Sequence, residues 1–426
     1  MLSRLVPLAL ILYASCSRGQ EDLTAEADRR ADAVIDKVVA WRRDIHQHPE
    51  LSNREFRTAA LVAEHLRSLG MEVQTEVGHT GVVGILRGAA DSPVVALRAD
   101  MDALPVTERV DLPFASKARG EYRGAEVGVM HACGHDNHVA ILMGTAEVLA
   151  GMRDQIPGTV KFIFQPAEEG PPAGEEGGAD LMIREGALQN VDAIFGLHVF
   201  PYKVGSVAYR EGGIMASSDS FRIVVKGRQT HGAVPWGGVD PIVTASQIVL
   251  GLQTITSRQL DATLTPSIVT VGKISGGVRS NIIPDEVEML GTIRTFDAGV
   301  REQIHEKLTR TAVSIAEAAG ATAEVMIDKG TPVTSNDAQL TRMMVPTLEK
   351  VAGAENVSVS PRTTTAEDFA YYQQQVPGLF FFLGVADPED KSPAPNHSPY
   401  FYADERALPV GVRAMSHLAL DYLTKE

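Results

Sequence analysis

The sequence predicts an α/β protein: a mostly parallel sheet flanked by helices, interrupted by a smaller α+β domain. Three observations predict it. Short apolar runs alternate with helix-length segments, and the runs are apolar on both faces, as a sheet covered by helices requires. Several runs lead into an acid or a histidine: Asp100, Glu168, Glu169, His198 and His397 all fall at or after such ends. In open parallel sheets, sites form beyond the carboxyl ends of the strands. Between about residues 217 and 330 the runs instead alternate apolar and polar, the mark of half-exposed strands. A chain of 426 residues also exceeds one ordinary core, so two domains are expected.

The elements follow in order. Residues 1–20 read as an export leader: Arg4, the apolar run Leu5 to Tyr13, then Ala14-Ser15-Cys16. The run is short for a membrane span. Either the leader is cleaved, or Cys16 becomes the acylated first residue of a lipoprotein. The chain is thus expected to be exported, periplasmic or secreted, with a possible lipid anchor at Cys16. Ala25 to Leu69 is helical by pattern and stops at Gly70. Strands are expected at 82–86 and 93–97, a helix at 136–152, and strands at 160–164, 193–197 and 379–383. The stretch 217–330 runs strand, helix, strand, strand, helix, strand, which is the split βαβ, ferredoxin-like pattern. The expected catalytic domain is therefore 21–216 with 331–426, and 217–330 is inserted.

A net charge of −15 repels phosphate backbones and argues against nucleic acid. The chain has two cysteines. With the leader removed or Cys16 lipidated, Cys133 has no disulfide partner, and metal ligation gives an exported thiol a use.

Two clusters carry the chemistry. Met130-His131-Ala132-Cys133-Gly134-His135-Asp136 places a thiol and an imidazole two residues apart, before a helix whose N-terminus favours thiolate. Gln165-Pro166-Ala167-Glu168-Glu169-Gly170 places two carboxylates side by side, and adjacent side chains diverge. One can bind a metal while the other serves as a base; spacing alone does not say which. His198 ends an apolar strand, where an unpaired imidazole is costly to bury. His131 and His138 are expected behind the ligands rather than among them. His46 and His48 read as structural. Asp100 and Asp102 either orient ligands or shape a turn. Glu367 and Asp368 precede a helix they can cap.

These residues resemble the aminoacylase, hippurate hydrolase and auxin-conjugate hydrolase family of metal-dependent amidohydrolases, within the zinc-exopeptidase superfamily. The matching stretches are Arg98 to Pro105, Met130 to Asp136, Gln165 to Gly170, Gly196-Leu197-His198, His231 to Pro235, Glu367-Asp368-Phe369 and Asn396-His397. The resemblance implies a binuclear site with Cys133, His135, Glu169, His198 and His397 as ligands, and Glu168 as general base. It implies a homodimer through the inserted domain. It further implies that His231 completes a site, in its own or a partner subunit, and that Asn281 and Arg294 lie near substrate. Wider relatives carry a metal-binding histidine where this chain has Arg98, so no role for Asp100 carries over.

Five ligands suit two ions about 3.5–4 Å apart that share a ligand. Zinc or manganese is expected, with cobalt or nickel also compatible with S/N/O donors. The expected reaction is hydrolysis of an N-acyl amino acid, with His231 able to donate to the oxyanion. An exopeptidase acting on short peptides is the alternative. A catalytically silent binding protein is the rival outside enzymes; it would be marked by loss of Glu168 or a ligand, and all are present.

Overall fold

The computed structural model describes residues 8–424, with side chains from residue 23. The leader's Arg4 and the Cys16 side chain lie outside the described residues. By backbone contacts the chain divides into two compact units: one up to Glu211 with Asn336–Ser360 and from Tyr371 onward, the other Gly212–Ser335 with Pro361–Ala370.

The first unit opens with α1 (Leu8–Gln47), whose backbone begins inside the stretch read as leader, and α2 (Phe56–Ser68). The sequence pattern suggested one helix from Ala25 to Leu69; the helix breaks instead. Pro49 disfavours helical backbone at His48 and cannot donate its own N–H, so the chain turns before α2. Next come β1 (Glu72–Val77), β2 (Gly81–Arg87), β3 (Val94–Asp100), the hairpin β4 (Arg119–Tyr122) and β5 (Ala125–Gly128), then α3 (His135–Ala150). β6 (Thr159–Gln165), α4 (Gly178–Arg184), β7 (Ala193–Lys203) and β8 (Val207–Tyr209) follow.

The second unit holds β9 (Gly212–Met215), β10 (Asp219–Lys226), β11 (Thr230–His231), α5 (Pro241–Thr254), β12 (Ser267–Gly276), β13 (Ile282–Ile283), β14 (Glu286–Thr295), α6 (Ala298–Ala318) and β15 (Thr322–Asp328). Its antiparallel sheet runs β12-β14-β10-β15. Phe221, Ile223 and Val225 alternate inward from β10 onto Ile248 and Leu252 of α5 and Ile304 and Leu308 of α6. The unit begins at 212 and ends at 335 rather than at 217 and 330, and it gathers in 361–370. Backbone bonds from Ala216 N–H to the Thr363 and Thr365 carbonyls tie that distant segment in, a pairing no local pattern records.

After β16 (Thr334–Asn336), the chain continues with α7 (Ala338–Ala352), β17 (Val357–Val359), α8 (Phe369–Gln373), β18 (Gly378–Ala386) and α9 (Leu408–Thr424). The main sheet is ordered β1-β2-β6-β3-β7-β18-β8-β17. β6, β3, β7 and β18 run parallel, and β1, β2 and β8 add antiparallel pairs. One sheet face (Leu97, Phe162, Phe195, Phe381) packs on Val38 of α1, Leu142 of α3 and Leu418 of α9. Successive residues point to opposite faces, so Arg98, Asp100 and His198 share the other. Among the described residues no helix is long and apolar enough to cross a membrane.

Candidate metal centre

The first unit brings Cys133, His135, Glu168, Glu169, His198 and His397 together. Ligating atoms of Cys133, His135 and His198 lie within 4.8 Å of one another; so do those of Cys133, Glu169 and His397, and those of His135, Glu168 and Glu169. The first two triads meet at Cys133.

Each side chain is aimed by backbone. Gly134, at φ 96°, caps α3 and turns the chain so that Cys133 and His135 share one side; a Cβ there would sit 2.3 Å from Val199 Cγ2. His135 is the first residue of α3 rather than lying before it. His198 lies within β7 rather than at its end, because β18 pairs with β7 well past that point. Its Nδ1–H donates to the Val199 carbonyl at 2.7 Å, which leaves Nε2 as a lone pair 3.3 Å from Cys133 Sγ. His397 sits at φ 70°, a conformation a residue with a Cβ adopts only under constraint. The Asn396 amide supplies the constraint by donating to the carbonyls of Cys133 (2.9 Å) and Val199 (3.2 Å). His397 Nε2 then stands 3.1 Å from Glu169 Oε1, half exposed where the other ligand candidates are covered.

Asp102 orients the acidic pair. It accepts the N–H of Glu168 at 3.1 Å, the N–H of Glu169 at 3.0 Å and the Ser52 hydroxyl at 2.7 Å, and its Oδ1 lies 3.3 Å from His135 Nδ1. Glu55 accepts the Ala167 N–H at 3.0 Å, holding Ala167 at φ 52° just before the pair. Burial raises the Glu55 carboxyl to about 8, and Asp102 adds to the rise. Asp100 accepts from Arg98 at 2.6 Å and from His138 Nδ1. Val199 N–H donates to His138 Nε2 at 2.8 Å, so both nitrogens of His138 are engaged in hydrogen bonds. Arg98 is itself buried, paired with Asp100 and donating to Gln165 Oε1 at 2.9 Å.

The donor set fits divalent cations. Both ring nitrogens of His135 and Oε1 of Glu169 are buried without a hydrogen bond. Burial opposes a charge on His135, yet Asp100, Asp102 and Glu169 outweigh it and lift the imidazole to about 10. Without a cation, then, the carboxylates draw a proton onto a ligand candidate. The Cys133 thiol is pushed well above its ordinary range by burial and then by Glu169 and Glu168. This reverses the thiolate expected from the helix N-terminus alone: that partial charge is weaker than burial plus two carboxylates, and a cation is what would ionise the sulfur. His198 is held neutral, by burial first and by His138.

Other candidates have surroundings of their own. His131 is fully buried, with neither nitrogen bonded, and burial drives it down to about 3. His46 lies between Asp136 (2.9 Å) and Glu108 (3.1 Å), a buried bracing group. His48 is largely exposed. In the second unit, His231 on β11 pairs opposite Ile282, and Gly232 N–H donates to the Asn281 carbonyl at 2.8 Å, so His231 and Asn281 are neighbours. Ala233 N–H donates to His231 Nδ1 at 3.0 Å, leaving Nε2 outward. Arg294, opposite Ile268, reaches the Ser217 carbonyl at 3.4 Å. Glu367 accepts the Phe369 N–H at 2.9 Å and caps α8.

Sequence reasoning left the Asp102 tether open and assigned nothing to Asn396, Ser52 or Glu55. Two aspartates two residues apart after a strand were a usable signal for Asp102; Ser52 and Glu55 carry none.

A buried thiol, imidazoles and paired carboxylates on an open α/β sheet define a metal-dependent hydrolase. The comparisons place it. Residues 96–421 match the model of peptidase family M20/M25/M40, and the chain belongs to that family. It is 42% identical over 407 residues to thermostable carboxypeptidase 1 of Saccharolobus solfataricus, covering 95% of this chain and all of that one. It is 40% identical over 373 residues to N-acetyl-L-cysteine deacetylase of Bacillus subtilis, covering 87% and 85%. A crystal structure from Bacillus subtilis, described as a dinuclear metal-binding peptidase of the M20 family, aligns with a TM-score of 0.77 at 37% identity, covering 92% of this chain and 99% of that one.

Proposed function

We propose that this chain hydrolyses the amide bond of N-acyl amino acids, releasing a carboxylate and a free amino acid. The observation that carries the reading is the set of overlapping donor triads around Cys133, with Glu168 beside them. Cys133, His135, Glu169, His198 and His397 would hold two divalent ions. Zinc suits the thiolate best, with manganese, cobalt or nickel admitted by the mixed donors. Such ions supply Lewis acidity that activates water and polarises an amide carbonyl.

The chain's own groups do the rest. Glu168, whose backbone N–H is fixed by Asp102, takes a proton from the attacking water and passes it to the leaving amine. His231, of the same or a partner subunit, donates from Nε2 to the oxyanion, and Asn281 beside it, with Arg294, binds the rest of the substrate. The deacetylase among the relatives supports the N-acyl reading. The carboxypeptidase favours a second one, cleavage of short peptides by the same chemistry.

A panel of N-acetyl, N-benzoyl and longer N-acyl amino acids, assayed beside dipeptides for amino-acid release, tests the choice. Release from the N-acyl compounds is expected; cleavage of peptides alone would transfer the chain to the second reading.

The inserted unit makes a homodimer in this reading. Ile242, Val243 and Leu250 on α5 and Ile268 and Ile274 on the edge strand β12 are exposed apolar side chains. A monomer by light scattering at micromolar concentration would refute it. Residues 1–20 direct export. The mass of the mature N-terminus separates a lipid-anchored Cys16 from simple cleavage, and an intact Met1 would refute both.

A further inference from the structure

We propose that a cleft beside Glu169, between the β4–β5 hairpin and the loop 170–173, receives the acyl group of the substrate and selects apolar groups larger than acetyl. The proposal rests on the amidohydrolase reading above. The cleft measures about 530 Å³, and Glu169 forms part of its wall. That volume lies within the range of small-molecule sites, roughly 300–1,000 Å³. An acetyl group would leave most of it empty.

Three features fix what fits. Leu51, Ala103, Leu104, Pro105, Pro171 and Pro172 give an apolar lining, with the Tyr122 ring on the hairpin at its rim. Ser52, also in the lining, donates to Asp102, the residue that fixes the Glu168 and Glu169 backbone. The cleft is therefore continuous with the machinery rather than a separate groove. Its charges are unfavourable to a carboxylate. Arg54 is spent on Glu175, at 2.5 and 3.0 Å, and on the Asn53 carbonyl. Arg123 lies over the Tyr122 ring at 5.2 Å, and Glu121 and Glu169 bring two carboxylates into the same lining. With Arg54 paired, Glu121 and Glu169 outnumber Arg123 and leave the lining net negative, which disfavours the free carboxylate of an amino acid, whereas an alkyl or aryl acyl group loses only water. Each methylene it buries raises affinity roughly fourfold.

The test uses the metal-loaded full chain and two variants at exposed lining positions, Ala173→Trp to fill the cleft and Tyr122→Ala to open it. For one amino acid, kcat/KM is measured for its N-acetyl, N-butanoyl, N-octanoyl and N-benzoyl derivatives. Wild type is expected to prefer octanoyl and benzoyl over acetyl, and A173W to lower the octanoyl-to-acetyl ratio at least tenfold. Octanoate binding, followed by calorimetry, should weaken in parallel in A173W. An unchanged ratio in both variants overturns the proposal. So does a ratio that moves only when the amino acid, rather than the acyl group, is varied. Failure of wild type to release amino acid from any member would instead sink the amidohydrolase reading, which separates the two outcomes.

Discussion

The candidate groups of the two units are built in opposite ways. In the first unit the ligand candidates other than the half-exposed His397 are covered, and the cluster is braced by backbone: Asp102 grips the Glu168–Glu169 turn, Asn396 clips the His397 loop onto Cys133 and Val199, and Asp100 engages His138. In the second, His231 stands exposed on a two-residue strand, held mainly by its own turn. Donors for a cation must converge with their lone pairs intact, and only a rigid, dry frame achieves that. A group proposed to meet substrate, such as His231, can sit on a lighter support.

That contrast sets the scale of the predictions. Glu168→Ala should lower kcat by about 10²–10⁴-fold while elemental analysis finds the metal content of wild type; retained turnover would show the base lies elsewhere. Cys133→Ala should lose metal outright, and unchanged stoichiometry would remove the thiol from the ligand set. Asp102→Ala should weaken metal affinity or activity by roughly 10–100-fold, because the Glu168 and Glu169 N–H groups lose their acceptor; a chelator titration measures it. His231→Ala should lower kcat with metal content unaltered and with stability within about 0.5 kcal/mol of wild type, as exposed positions allow. A large loss of stability there would erase the distinction drawn between the units.

A separate effect, on stability rather than on activity, concerns His131 in the metal-free chain. Its folded value, near 3, lies below the unfolded imidazole value of about 6.5. Between those limits the unfolded chain binds a proton that the folded chain refuses, so stability falls as pH drops from about 6.5 towards 3, by at most something on the order of 5 kcal/mol. Above about 6.5 the group contributes no pH dependence. His131→Leu should flatten that acid branch in urea melts, and an unaltered slope would mean that His131 is not the proton acceptor.

Much of this was legible in the sequence because strand periodicity and chemistry coincide. Apolar runs flow into Asp100, Glu168 and Glu169, and the Cys133–His135 pair announces itself by composition. What stayed hidden was non-local. Nothing in the sequence near 363–365 shows its pairing with Ala216, and the break before α2 was missed because helical periodicity resumes after Pro49. The strand β1 escaped because its residues are mostly exposed, so no apolar run marks it. Asn396 looked like a loop residue, since its role depends on two carbonyls far away in the chain. Arg98 was noticed as a departure, but only the fold shows it as a buried partner of Asp100 and Gln165.

The most direct test of the central claim is a metal titration of the stripped protein, following amino-acid release from an N-acyl amino acid. The account predicts no release without metal and full activity at two equivalents per chain. Undiminished release in excess chelator would contradict it.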